Sequence, residues 1–237
     1  PMLVAGYESF VGLFPIPMRH GMTIGELAGL FNERFGIGAE LEVVRLEGWR
    51  REMYWDDARL PWVMPSPNMP TLDTAVVYPG GVLFEGTQLS EGRGTTRPFE
   101  LLGAPWIDAE PSAARLNALK IDGAQFRPVV FEPTFHKHAR LACGGVQIHV
   151  TDRRAFRPVL AGVAVMGEFR RSAPDRFAWR EPPYEYVHDR MPIDILAGSE
   201  RLRQAIEADV PARDIAEEWE AGTREFEELR RGCLLYV

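Results

Sequence analysis

The sequence predicts an α+β fold, on three observations. Segments of helical period are interspersed with short alternating runs. The 19 Pro and 22 Gly among 237 residues are more turn-formers than a helical bundle needs. A proline-dense stretch, with Pro61, Pro65, Pro67 and Pro70, separates a leading unit (residues 1–60) from a longer second one (61–237). An apolar content of 46% and a charged content of 26% suit a packed core and exclude a disordered chain.

Phe10 to Glu47 reads as strand, helix, strand. Thr23 and Glu26 have capping-box spacing, so hydroxyl and carboxylate can each satisfy an orphan amide at a helix start. Ile24, Leu27, Ala28, Leu30 and Phe31 follow at helical spacing, Gly36 is a natural stop, and Leu41 to Leu46 is branched enough for a strand. A unit this small leaves its apolar faces uncovered, so it is expected to be the last piece of a sheet-and-helix domain. Beyond the prolines, Thr71 to Tyr78 predicts a short helix and Val82 to Glu85 a short strand. Ala109 to Leu119 predicts a helix with Asp108 at its cap and Pro111 in its first turn. Val146, Ile148 and Val150 alternate with Gln147, His149 and Thr151, as a half-buried strand does. Helices follow at Pro158 to Arg171, Ser199 to Ala208 and Arg213 to Arg231. The last carries an Ile215, Trp219, Phe226 and Leu229 stripe and the pairs Glu220 with Arg224 and Glu227 with Arg231. Cys233 to Tyr236 predicts a closing strand.

The formal charge of −7 and the interleaving of Arg with Asp and Glu leave no basic face for nucleic acid. Cys143 and Cys233 form no ligand spacing or disulfide framework; they read as two buried thiols, with a single bridge as the alternative. No apolar run approaches the roughly 20 residues that cross a bilayer. No basic-then-apolar leader opens the chain, and the compartment stays open, with export expected only if a signal precedes Pro1.

Chemistry is concentrated in Glu85 to Phe99, EGTQLSEGRGTTRPF. No core calls for three glycines, four hydroxyls, two carboxylates and two guanidinium groups in so short a span. The glycines allow a ligand close to bare amides. Glu85 and Glu91 suit sugar hydroxyls or acid–base work, and Arg93 and Arg97 suit two-pronged capture of a carboxylate. The competing reading is a solvated turn whose charges pair internally. Glycine spacing and the lack of a Lys exclude a Walker loop. His136 and His138 have metal-compatible spacing but lack further ligands, and surface residues are the simpler reading. Trp62 and Trp106 suit either stacking on a pyranose or packing in a core. His20 either lines a cleft or caps the first helix.

These segments, with PSPNMP at Pro65 to Pro70, TLDTAVVYPG at Thr71 to Gly80, GAPWID at Gly103 to Asp108, HGMTIGELA at His20 to Ala28, FEPT at Phe131 to Thr134 followed by Lys137, and CGGVQIHVTD at Cys143 to Asp152, resemble the exo-β-N-acetylmuramidase family of the NamZ type along nearly the whole chain. The resemblance implies a bacterial glycoside hydrolase of cell-wall recycling that releases N-acetylmuramic acid from the non-reducing end of peptidoglycan fragments. It also implies a chain about twice this length, with a Rossmann-like domain ahead of a smaller α+β domain and the active site in the cleft between them. Residues 1–60 are then the tail of the Rossmann-like domain, and 61–237 form the opposite wall. The catalytic Glu and its accompanying Tyr are expected upstream of Pro1, so this chain alone is expected to be inactive; Glu91 is the best candidate within it. Asn68, Glu85, Ser90, Glu91, Arg93, Thr95, Arg97 and Lys137 are the expected substrate-binding set, with no metal or cofactor. The expected partners are the saccharide and the upstream domain. A non-catalytic module that binds muropeptide sugar is the alternative.

Overall fold

The computed structural model describes residues 1–236 and is a mixed α/β assembly around one small antiparallel sheet. Strands β1 (Leu101–Ala104), β2 (Ala124–Phe131) and β3 (Cys143–Val150) lie in the order β1-β3-β2. Leu102 faces Val146 and Phe126 faces Ile148 across the two ladders. Val146 and Ile148 are buried while His149 is exposed, so the predicted alternation sets which face of β3 meets the core. Helix α4 (Pro158–Ser172) is buried along nearly its whole length. Helices α2 (Leu72–Gly81) and α3 (Ala109–Ala118) pack on it, and α3 also covers the sheet.

The crossing of α2 on α4 needs glycine. A Cβ on Gly80 would stand 2.0 Å from the Pro158 carbonyl oxygen, and one on Gly162 would stand 2.5 Å from the Gly80 oxygen. The two backbones touch, which fixes the end of α2 from which the polar strip departs.

Helix α1 (Ile24–Arg34) has the predicted capping box, with Thr23 and Glu26 satisfying each other's backbone amides. Buried Glu26 does more: its carboxylate takes the Leu235 amide at 2.7 Å and the Arg51 guanidinium. Burial pushes the Glu26 carboxyl up, but Arg51 and the two amides draw it down to about 2. The far end of the chain is thereby tied to its first helix.

Several expectations are corrected. Leu41 to Leu46 is irregular, with Val44 89% exposed, because no strand lies alongside to take its ladder bonds among the described residues. The stretch from Phe10 holds only isolated bridges. Val82–Gly86 is a 3-10 turn that continues α2 directly. The long helix from Arg213 divides at Trp219 into α7 (Ala212–Glu218) and α8 (Glu220–Arg230), after α5 (Pro192–Ala197) and α6 (Arg201–Glu207). Ile215 belongs to the main core and Phe226 to a separate cluster with Met22 and Leu30, so the bend serves two destinations. Glu220 pairs with Arg224 at 3.5 Å as expected, whereas Glu227 pairs with Arg230 and Glu228 with Arg231. Arg231–Cys233 forms a 3-10 turn and the segment after it no strand, and Asp108 makes no side-chain cap bond. Both thiols are free, Cys143 buried and Cys233 partly exposed. No helix among the described residues is long and apolar enough to cross a membrane.

Candidate functional site

The strip from Glu85 to Phe99 is built from its own hydroxyls and glycines. Thr87 donates to the Phe84 carbonyl at 2.9 Å and receives the Leu89 amide. Ser90 exchanges backbone bonds with Gly103 of β1, and its hydroxyl accepts the Gly92 amide. Thr95 donates to the Gly92 carbonyl at 2.6 Å and accepts the Arg97 amide. Gly92 and Gly94 take left-handed φ values of 74° and 83°, and a Cβ on Gly94 would meet Phe135 backbone at 2.7 Å. The Gly94 carbonyl accepts both the amide and the hydroxyl of Thr134. Ser90 and Thr95 thus hold the strip's shape.

Four alternating charges run through this frame. Glu91, 1% exposed, accepts from the Lys137 ammonium at 2.8 Å; its other oxygen lies 3.2 Å from His136 Nδ1 and 3.3 Å from Arg93 Nε. Those last two contacts have ion-pair distance without hydrogen-bond alignment. Arg93 Nη2 also grips Glu85 in a very short contact, and its guanidinium lies 5.0 Å over the Phe99 ring. Burial pushes the Glu91 carboxyl up, yet His136 and Lys137 outweigh it and bring it down to about 2. On the lysine side burial wins, and the Lys137 ammonium is drawn down despite Glu91. Lys137 donates further to the Phe84 and Leu89 carbonyls at 2.8 and 3.0 Å, so all three of its protons are engaged inside the protein.

Glu85 and Arg93 border a cleft of about 830 Å³. Its polar wall includes Tyr78 and Tyr184, and its apolar wall comes from the leading unit, with Phe10, Phe14, Leu27 and Phe31. The Tyr184 hydroxyl donates to Glu85 at 2.8 Å. Burial, then the Glu85 charge, holds that phenol well above the usual tyrosine range. Sequence reasoning missed Tyr184, which lies 99 residues from Glu85; its only local signal is an aromatic after Pro182 and Pro183.

The other expected residues are distributed. Arg97 pairs with buried Glu100 at 3.4 Å, which also takes the Thr74 hydroxyl. Half-buried Asn68 donates its backbone N–H to the Ser66 hydroxyl, and neither Asn68 nor Arg97 borders the cleft. His138 meets the Gln88 carbonyl at 2.7 Å and packs edge-on against Trp106. Trp62 donates to Met69 at 3.3 Å. His20 borders the cleft and does not cap α1: its Nδ1 accepts the Met22 amide, ahead of the helix, whose cap is Thr23. Burial, then Arg230, draws its imidazole down. A second cavity of about 780 Å³ lies across the Pro17–His20 segment, bordered by Trp49, Arg157 and Trp219 and by none of the expected residues.

Comparison with known proteins gives a consistent picture. The model described as exo-β-N-acetylmuramidase NamZ, C-terminal, matches residues 76–236, and its N-terminal counterpart matches residues 1–73. A Bacillus subtilis protein, peptidoglycan β-N-acetylmuramidase NamZ, is 45% identical over 236 residues, covering 100% of this chain and 55% of the relative. A DUF1343 family protein from Bacteroides fragilis superposes with a TM-score of 0.90 at 29% identity, over 100% of this chain and 62% of that one. A second from the same organism gives 0.69 at 28% identity, over 100% and 61%. The chain spans about half the length of the curated relative it matches. With the N-terminal and C-terminal family models matched in order and the polar strip inside the longer match, this chain belongs to the NamZ exo-β-N-acetylmuramidase family.

Proposed function

We propose that the chain supplies one wall of the sugar-binding cleft of a peptidoglycan exo-β-N-acetylmuramidase, with Arg93 as the receptor for the lactyl carboxylate of N-acetylmuramic acid. The observation that carries this is Arg93 itself. It borders an 830 Å³ cleft, is fixed by Glu85 and Glu91, and has one nitrogen, Nη1, free of hydrogen bonds among the described residues. A fixed guanidinium with a spare donor suits an acid-bearing sugar and gives a neutral hexosamine nothing equivalent. Ser90, Thr95, Arg97 and Lys137 support the wall from behind, and Glu85 and Glu91 orient the guanidinium.

A general acid must hold a proton near working pH, and Glu91 is shifted the opposite way, to about 2. The family resemblance, together with coverage of only 55% of the Bacillus subtilis relative, supports assigning the catalytic carboxyl to the part of the longer protein that this chain does not cover. Residues 1–60 serve as the tail of a Rossmann-like domain; the exposure of Phe10, Ile24 and Val44 supports their packing against such a domain. The ion-paired state of Glu91 equally favours a second reading, a module that binds muropeptide sugar without cleaving it.

The test joins this chain to the uncovered part of the Bacillus subtilis relative and measures release of N-acetylmuramic acid from a chromogenic β-muramoside. Activity in the chimera and none in the chain alone is the expected result. Arg93→Ala should lower kcat/KM by about 10- to 100-fold and Arg93→Lys should recover little of it. An inactive, well-folded chimera that still binds muramic acid favours the binding module. Unchanged kinetics in Arg93→Ala discards the assignment of Arg93.

A further inference from the structure

The geometry points to Tyr184 as a specificity-determining positioning residue: its hydroxyl holds Glu85 off the free edge of Arg93, so that the edge is left for a ligand carboxylate. The inference rests on the reading of Arg93 given above. Arginine and carboxylate pair best as two parallel N–H···O bonds. Glu85 instead meets Arg93 through one oxygen, Oε1 to Nη2, while Oε2 accepts the Tyr184 hydroxyl at 2.8 Å. With Oε2 released, Glu85 can turn and close both oxygens on Nη1 and Nη2, filling the place of a substrate acid group. The third guanidinium nitrogen, Nε, is already 3.3 Å from Glu91.

Tyr184 is placed to do this reliably. It is 6% exposed, and its amide and carbonyl exchange 2.9 Å bonds with Val187. The two residues between, Glu185 and Tyr186, take left-handed φ values of 45° and 66° without being glycine, a conformation that persists only where its surroundings enforce it. The ring is 5.2 Å from the Arg180 guanidinium. Burial and the Glu85 charge keep the phenol protonated, so it remains a donor across the working pH range. The predicted ligand class is a hexosamine with an acid-bearing ether substituent, favoured over its neutral counterpart.

The experiment titrates this chain with N-acetylmuramic acid and with N-acetylglucosamine, following amide shifts by NMR. Wild type is expected to prefer the acid sugar. Tyr184→Phe should weaken N-acetylmuramic acid binding about tenfold, the scale of one charged hydrogen bond, and leave N-acetylglucosamine binding unchanged. Adding Glu85→Gln to Tyr184→Phe should restore the preference, since an amide forms no ion pair with Arg93. A wild type without preference overturns the Arg93 reading and this inference with it. An undiminished preference in Tyr184→Phe overturns the inference alone. Equal weakening of both sugars, or no restoration in the double variant, makes Tyr184 a packing residue and also overturns it.

Discussion

Lys137 holds the polar strip to the rest of the domain through one buried ammonium. Truncation as Lys137→Ala takes from buried Glu91 its one aligned hydrogen-bond donor and breaks bonds to two carbonyls, and a loss of about 3–5 kcal/mol is expected in urea unfolding. Replacing both partners, as Lys137→Met with Glu91→Gln, should recover part of that loss, because no charge is then left unpaired. The pH dependence has a definite sign. The Glu91 carboxyl is lowered from 4.5 to about 2 in the folded chain, so its contribution is fully present above about pH 4.5 and is lost as pH falls toward 2. Acid unfolding of Glu91→Gln should lack that part of the slope. At this scale the sequence showed which groups cluster by composition, as Glu85, Glu91 and Arg93 do. Lys137, 46 residues from Glu91, joined the expected set only through the family resemblance, and nothing in the sequence showed that Tyr184 reaches Glu85. Pairing across the fold depends on packing, which local pattern does not encode.

At the scale of elements, the α2–α4 crossing is the tightest joint near the site. Gly162→Ala places a methyl against the Gly80 carbonyl and should cost about 1–3 kcal/mol, read as a lowered Tm. Because α2 leads straight into the turn carrying Glu85, the same change should also weaken sugar binding. Helices announced themselves through caps and stripes: the Thr23–Glu26 box and the α4 apolar run are both local. Of the three strands only β3 announced itself, by its alternation; β1 and β2 gave no such signal and were not expected. Leu41 to Leu46 has strand composition, but composition supplies no hydrogen-bonding edge, and the segment remains irregular. The bend at Trp219 was illegible because both halves have good helical pattern, and only the separation of two apolar clusters forces it.

Across the whole molecule, stability is uneven. The main core gathers β1, β3, α2, α3 and α4, whereas the leading unit relies on a small cluster of Met22, Leu30 and Phe226. Amide hydrogen exchange should be slowest in β3 and α4 and faster in α1 and α8; equal protection of the two groups would contradict this division. The cleft lies between a firm wall and a looser one, an arrangement suited to adjustment around the saccharide proposed to bind there.

The carboxyl end gives this looser wall its anchorage. The Leu235 amide meets Glu26, the Tyr236 carbonyl meets Arg51, the Tyr236 hydroxyl takes the Leu46 amide, and its ring packs edge-on against Trp49. A few terminal residues therefore act as a mooring line for a stretch that has no ladder of its own. Cutting that line would set the stretch adrift while leaving the firm wall intact, and a purification handle spliced onto this end would pull on the same knot.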